Sequence, residues 1–390
     1  MTRRKKVAIV TPGSFPIPGV KSSSVERVVL NMADLLQDEV DVFIFGKKTI
    51  EQPFYEKKGS ITFHRNYIPA NTYIQQTIKQ LELLQPDIIQ VENRPRFAKQ
   101  VRLAMPKAKI ILVMQSTRFM SLPHIGKKEW AACIDMTDHI VVNSHYLKEY
   151  IINETNCPSN KITVNHLGVN LTQFKPKWMK ECKASIKQLK REWGVTDKKI
   201  LLYVGRLVEI KGIHHILEAM PEIIEADPSI VLFIAGITLS STLQNKEYEE
   251  RLHRLSENVK GHVFFTPFVP HEMIQLWYQM ADLLVVPSIA EPFGLVNIEA
   301  MATGTPVIAA KSGGIPEIIE HGKTGILINP NQVRAELISH IPQHFSKPKI
   351  IKKMRVECVS HVRHHFTWQH TVKRQLDLYS RFTGDVIEER

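Results

Sequence analysis

Short apolar runs of three to six residues recur along the chain, separated by amphipathic segments. The runs 7–10, 40–45, 88–91, 110–114 and 140–142 lie in the first half, and 200–204, 231–235, 263–266, 283–286 and 307–310 in the second. A continuous apolar run, unlike an alternating one, predicts a strand covered on both faces. Between the runs, 26–36, 74–84, 146–152, 213–225, 248–256, 271–279 and 295–302 carry apolar residues at helical spacing. Such alternation predicts parallel sheets with helices on each side. The rhythm breaks at 175–198, where Lys175, Lys177, Lys180, Lys183, Lys187, Lys190 and Arg191 read as a solvated linker plus a helix. The expected fold is α/β, with two Rossmann-like domains facing a cleft. The first spans 1–175 and the second 176–365. A terminal segment, 366–390, opens with Phe366-Thr367-Trp368 and reads as a final helix.

Residues 282–317 hold the densest local pattern. An apolar run stops at Pro287, a polar loop presents Glu291, and Phe293-Gly294-Leu295 opens a helix that carries Glu299 two turns in. A second apolar run ends before Gly313-Gly314. The start of a helix offers free N–H groups and the positive end of its dipole, which suits a phosphate. Gly294 lets backbone approach a ligand, and two carboxylates can accept from sugar hydroxyls. Upstream, the run 201–204 ends in Gly205-Arg206, and Lys211-Gly212 follows at a helix start. Two cations there would stabilise the charge that gathers on a departing diphosphate. Taken alone, Arg206 and Lys211 could equally cap surface helices.

Together the two patterns resemble the donor site of the family-4 retaining glycosyltransferases of the GT-B fold. The resemblance extends over nearly the whole chain and is sharpest from 200 to 330. It implies that Arg206 and Lys211 hold the donor diphosphate, and that Glu299 binds the nucleotide ribose. It sets Glu291 beside the donor sugar. The backbone N–H groups of Phe293, Gly294 and Leu295 would contact the sugar or distal phosphate. The loop with Phe268 and Val269 would lie against the base, although Phe268 equally fits a core position. The terminal helix would cross back onto the N-terminal domain. Within the family the likeness is closest to bacterial spore-coat-associated glycosyltransferase-like proteins. It rests on Pro16-x-Pro18-x-Val20-Lys21 and on Glu92-Asn93-Arg94-Pro95-Arg96.

Three places depart from the family pattern. Ser22, Ser23 and Ser24 stand where a glycine pair usually opens the phosphate loop, between Gly19 and Glu26. Gln115 stands where many members place a histidine against the donor sugar; glutamine can hydrogen-bond a hydroxyl but does not titrate near neutrality. The sequence His166-Leu167-Gly168-Val169-Asn170 replaces Asn-Gly-Val-Asp. The activity implied is retaining transfer of a hexose-type sugar from a nucleoside diphosphate, most simply a UDP-sugar, to a hydroxyl acceptor. The acceptor would be a glycan, a lipid-linked group or a protein. No cofactor is expected. No metal is expected either, because the chain has no Asp-x-Asp clamp. The alternatives are a non-catalytic structural protein of the spore coat that retains nucleotide binding, and an epimerase on the same fold.

The 390-residue chain is 43% hydrophobic and 23% charged, long enough for two cores. It carries a net charge of +12. The surplus is uneven: residues 1–175 hold 24 Lys/Arg against 15 Asp/Glu. An anionic acceptor, an anionic membrane surface or plain solvation each account for that. The basic residues do not interleave with aromatics as in a nucleic-acid module, so nucleic acid is not an expected partner. No apolar run approaches the ~20 residues of a membrane span, and 7–10 is too short for a signal-peptide core. Cys133, Cys157, Cys182 and Cys358 are scattered, as reduced thiols would be. A cytoplasmic protein is expected, with the spore coat or the inner membrane face as places of association.

Overall fold

A computed structural model describes residues 3–19, 23–67, 70–236 and 243–384. The chain forms two compact units, one of residues 1–167 and 368–390, the other of 168–367.

The first unit is built on eight strands: β1 (Lys6–Val10), β2 (Asp41–Lys47), β3 (Tyr55–Lys58), β4 (Ile61–Asn66), β5 (Ile88–Glu92), β6 (Ile110–Met114), β7 (His139–Val142) and β8 (Ile162–Val164). They lie in the order β3-β4-β2-β1-β5-β6-β7-β8. All neighbours are parallel except β3 on β4. Every residue of β5 and β6 is buried, as the unbroken apolar runs predict. The second unit carries β9 (Lys199–Val204), β10 (Ile230–Ala235), β11 (Val263–Phe265), β12 (Leu283–Val286), β13 (Val307–Ala310) and β14 (Gly325–Ile328). Their order is β11-β10-β9-β12-β13-β14, parallel throughout. Both expected Rossmann-like sheets are present.

In each sheet the chain builds outward from its first strand in both directions. The order therefore reverses between β1 and β5, and between β9 and β12. Ligands of open α/β sheets bind at such a point, beyond the strand carboxyl ends.

Two differences from the sequence reading concern the division of the chain. The first unit ends at Leu167, not at 175, and the helix Lys180–Glu192 lies inside the second unit, as the division at 176 already had it. Val169 pairs with Thr367, so the second unit closes on itself at its two ends. Lys177, grouped in the sequence with solvated lysines, turns its amine onto the Ala281 carbonyl, and burial pushes it down to about 7. The helix Trp368–Thr383 belongs to the first unit, as the expected return of the chain requires. It is fixed there by Asn165 Nδ2 donating to Thr371 O (3.1 Å) and Gln375 Nε2 donating to Gln90 Oε1 (3.0 Å). The four cysteines are buried and unbridged. Among the described residues, no helix is long and apolar enough to cross a membrane.

Candidate functional site

The loops that leave β9 and β12 meet at the reversal point of the second sheet. After β9 the chain turns at Gly205-Arg206. Buried Tyr203 supports the turn by donating from its hydroxyl to Arg206 O at 2.9 Å, and burial raises that phenol's pKa well above its ordinary value. Arg206 is exposed and forms no ion pair among the described residues. A short 3-10 turn, Glu209–Lys211, then delivers Lys211. Gly212 follows with φ +67°, and a Cβ there would lie 2.2 Å from Pro287 O. Only glycine lets this turn press against the β12 loop. The two loops are also tied by Ile289 N donating to Ile210 O at 2.9 Å.

That contact brings Lys211 Nζ to 2.5 Å from Glu291 Oε2, with side chains 17% and 13% exposed. Residues eighty apart in sequence thus form one charge pair at the mouth of the sheet. Gly314 N donates to Glu291 O at 2.9 Å, anchoring the loop from the far side. Gly294 is the N-cap of the helix Leu295–Ala302 with φ +96°, and no side chain caps that helix. A Cβ on Gly294 would sit 2.4 Å from Asn297 Nδ2 and 3.1 Å from Glu291 Cγ, so a larger residue would push the carboxylate aside. Phe293 is buried, with its ring edge-on to Phe366 at 6.1 Å, so only its backbone can face a ligand. Leu295 is half-buried.

Glu299 is also buried. His271 Nε2 lies 3.1 Å from Oε1, and Tyr278 Oη donates to Oε2 at 2.8 Å. Phe174 packs against both of these rings. Neither His271 nor Tyr278 was singled out from the sequence; each lies more than twenty residues from Glu299, and no local pattern marks them. Phe268 is 43% exposed, which removes the core alternative for it, and Val269 is half-buried.

In the first unit the serine loop opens a helix. Ser23 is the N-cap of the helix Ser24–Leu36: its Oγ accepts from Val25 N at 3.2 Å, and its own N–H donates to Glu26 Oε2 at 3.1 Å. The Ser23 hydroxyl also donates to Glu26. This reciprocal capping box uses the Ser23 hydroxyl and one oxygen of Glu26; Glu26 Oε1 is buried without a partner. Ser24 is exposed and Gly19 half-buried; Ser22 lies outside the described residues. Gln115, just beyond β6, is 9% exposed. Its backbone N–H donates to Asn93 Oδ1 at 2.7 Å, and its Nε2 donates to Glu92 Oε2 at 2.9 Å. Glu92 itself closes β5 and is buried. Burial pushes its carboxyl up to about 7, against the opposing effect of the amides of Gln90 and Gln115.

Two parallel-sheet units, with cations and carboxylates gathered at the reversal point of the second, define a two-unit Rossmann-like α/β class. Comparison with known proteins agrees. Residues 25–173 match the model "Glycosyltransferase Family 4", and residues 185–359 match "Glycosyl transferases group 1". Spore coat protein SA of Bacillus subtilis (strain 168) is 29% identical over 377 residues, covering 96% of this chain and 99% of that protein. Among solved structures, sucrose-phosphate synthase from Thermosynechococcus elongatus superimposes with a TM-score of 0.81 at 22% identity, over 98% of this chain and 100% of that one. Anabaena Alr3699/HepE in complex with UDP-glucose gives a TM-score of 0.78 at 19% identity, over 97% and 100%. The chain belongs to the GT-B glycosyltransferases, with a family 4 domain followed by a group 1 domain.

Proposed function

We propose that the protein transfers a hexose-type sugar from a UDP-sugar to a hydroxyl acceptor with retention of configuration and without a metal. The observation that carries this reading is the Lys211–Glu291 pair beside the uncapped helix start at Gly294. A diphosphate arriving there meets Lys211, exposed Arg206 and the first-turn N–H groups. Together these neutralise the charge that grows as the sugar leaves. Glu291, freed from Lys211 by the competing phosphate, is then available to a sugar hydroxyl. No side chain stands as an evident nucleophile, so attack from the leaving-group face, with the departing phosphate taking the acceptor proton, fits better than a covalent intermediate. The UDP-glucose complex of Alr3699/HepE supports the choice of donor.

Incubation with labelled UDP-hexoses tests the reading. Transfer, or slow hydrolysis without acceptor, is expected, and it should persist undiminished in chelator, since two cations do the work of a metal clamp. Activity that vanishes in chelator and returns with manganese would refute metal independence. Binding without any turnover would favour a structural protein that keeps the nucleotide site, a role that the name of the Bacillus subtilis relative brings forward.

Glu299→Ala is expected to weaken UDP binding by about 2–3 kcal/mol, the cost of losing charged hydrogen bonds to ribose hydroxyls. His271 and Tyr278 hold that carboxylate from behind. Calorimetry that gives the same dissociation constant for the variant and the parent would remove Glu299 from the ribose site.

A further inference from the structure

Beneath the end of the first sheet lies a buried polar network that the donor site does not use. Gln90 and Glu92 point to the same side of β5. Gln90 Nε2 donates to Glu92 Oε1 at 2.6 Å, while Gln375 Nε2 (3.0 Å) and Tyr379 Oη (2.5 Å) donate to Gln90 Oε1. Asn165 Nδ2 donates to Gln375 Oε1 at 3.1 Å. Asn143 Oδ1, buried beside them, has no partner. A small cavity opens among Gln90, Glu92, Gln115, Asn143 and Asn165, with about 20 Å³ accessible to a water centre. That is room for one water.

Glu92 and Asn93 grip Gln115 at two points. Asn93, in the left-handed region at φ +50°, takes the backbone N–H; Glu92 takes the side-chain amide. With Nε2 committed to the carboxylate, Gln115 must turn Oε1 the other way. A free glutamine could offer either end.

We propose that Glu92 is a positioning residue for Gln115: its carboxylate fixes the amide so that Gln115 presents a carbonyl oxygen to a ligand hydroxyl at the end of the first sheet, and protonation of Glu92 undoes that fixation. The proposal rests on the transferase reading. A protonated Glu92 carries one donor and loses acceptor capacity, so it cannot accept fully from both Gln90 and Gln115. Its surroundings place the change within reach of neutral pH. From the helix Ser24–Leu36, Glu26 opposes its ionisation; from the terminal helix comes Tyr379, whose phenol burial raises out of range. Arg94, beyond Asn93, has its pKa lowered by burial against the opposing charge of Glu26. The flanking strands and the loops that follow them bring Gln90, Gln115, Asn143 and Asn165, none of which titrates.

The test reads the pair directly and then through catalysis. The Gln115 side-chain amide resonance, assigned by its absence in Gln115→Leu, should titrate with a midpoint of about 7 in the full-length protein and stay flat in Glu92→Gln. A flat wild-type resonance, or an unchanged titration in Glu92→Gln, overturns the proposal. In turnover of UDP-hexose, Glu92→Gln should lose about tenfold in kcat, the worth of one misdirected hydrogen bond, with UDP affinity changed by less than about twofold. The acid limb of the wild-type pH profile should vanish with it. Gln115→Leu should lose the same limb whether or not Glu92→Gln folds, and the double variant should be no slower than Gln115→Leu alone. Identical pH profiles in wild type and variants overturn the catalytic half. A titrating amide in a protein without any turnover leaves the Glu92–Gln115 pair standing and refutes the transferase reading instead.

Discussion

Lys211→Ala is expected to lower sugar transfer by about 10²–10³-fold, a loss of roughly 2.7–4 kcal/mol of transition-state stabilisation. Two effects combine. The cation that meets the departing diphosphate is gone. In addition, Glu291, 13% exposed and paired at 2.5 Å in the parent, is left without its partner. Removing one member of a largely buried pair destabilises beyond the pair's own worth, because the remaining charge stays desolvated. The two effects separate in the double variant Lys211→Met with Glu291→Gln. That protein should recover unfolding stability, since neither charge remains, yet stay as slow as Lys211→Ala. Steady-state kinetics and chemical unfolding on the same preparations decide it. Parental turnover in Lys211→Ala, or recovery of turnover in the double variant, would show that Lys211 serves the fold rather than the diphosphate.

The second large effect is on stability. Glu92 carries a carboxyl raised by burial from 4.5 to about 7. The native state therefore favours the protonated acid. Its contribution to stability is full below about pH 4.5 and is lost as pH rises through about 7, where the native state must hold a buried charge. A displacement of that size corresponds to roughly 3 kcal/mol. Glu92→Gln, neutral at every pH, removes the loss. It should match the parent near pH 4 and exceed it by about 3 kcal/mol near pH 8. Urea unfolding at both values measures this, and a difference independent of pH would refute it. The variant that is more stable is also the one expected to be slower, as happens where a costly group is kept for its function.

The donor-side motifs were legible because each is contiguous. A strand, a glycine turn and a helix start within a dozen residues declare themselves, so Arg206 and Glu291 fall in loops just beyond strands, Lys211 in the turn that follows, and Glu299 within the helix Leu295–Ala302, as the sequence places them. What the sequence withheld depends on distance or on context. The His271–Tyr278–Glu299 cluster joins residues from separate elements. β3 was missed because Tyr55-Glu56-Lys57-Lys58 is a polar, mostly exposed edge strand with no apolar run. β5 was read as ending at Val91, since a carboxylate ordinarily marks a surface; the amides of Gln90 and Gln115 make burial of Glu92 tolerable. The capping box of Ser23 and Glu26 was not read, although its three-residue spacing stands in the sequence. The domain division was placed by charge density, whereas the chain changes units where Val169 pairs with Thr367.

That division makes the second unit an insertion: the chain leaves the first unit at Leu167 and re-enters it at Trp368. During synthesis the nascent first unit therefore waits, with its sheet made but the face intended for its last helix bare, for the roughly ten to forty seconds that some 200 residues take at ordinary elongation rates. The inserted unit has no such debt, because all of its strands emerge consecutively. It can fold on the ribosome before the unit that precedes it is finished. Gln90, Asn165 and the apolar face of the helix Ser24–Leu36 are the groups exposed in the interval. Their late covering by Gln375 and Tyr379 makes the return of the chain at Trp368 the step that completes the first unit.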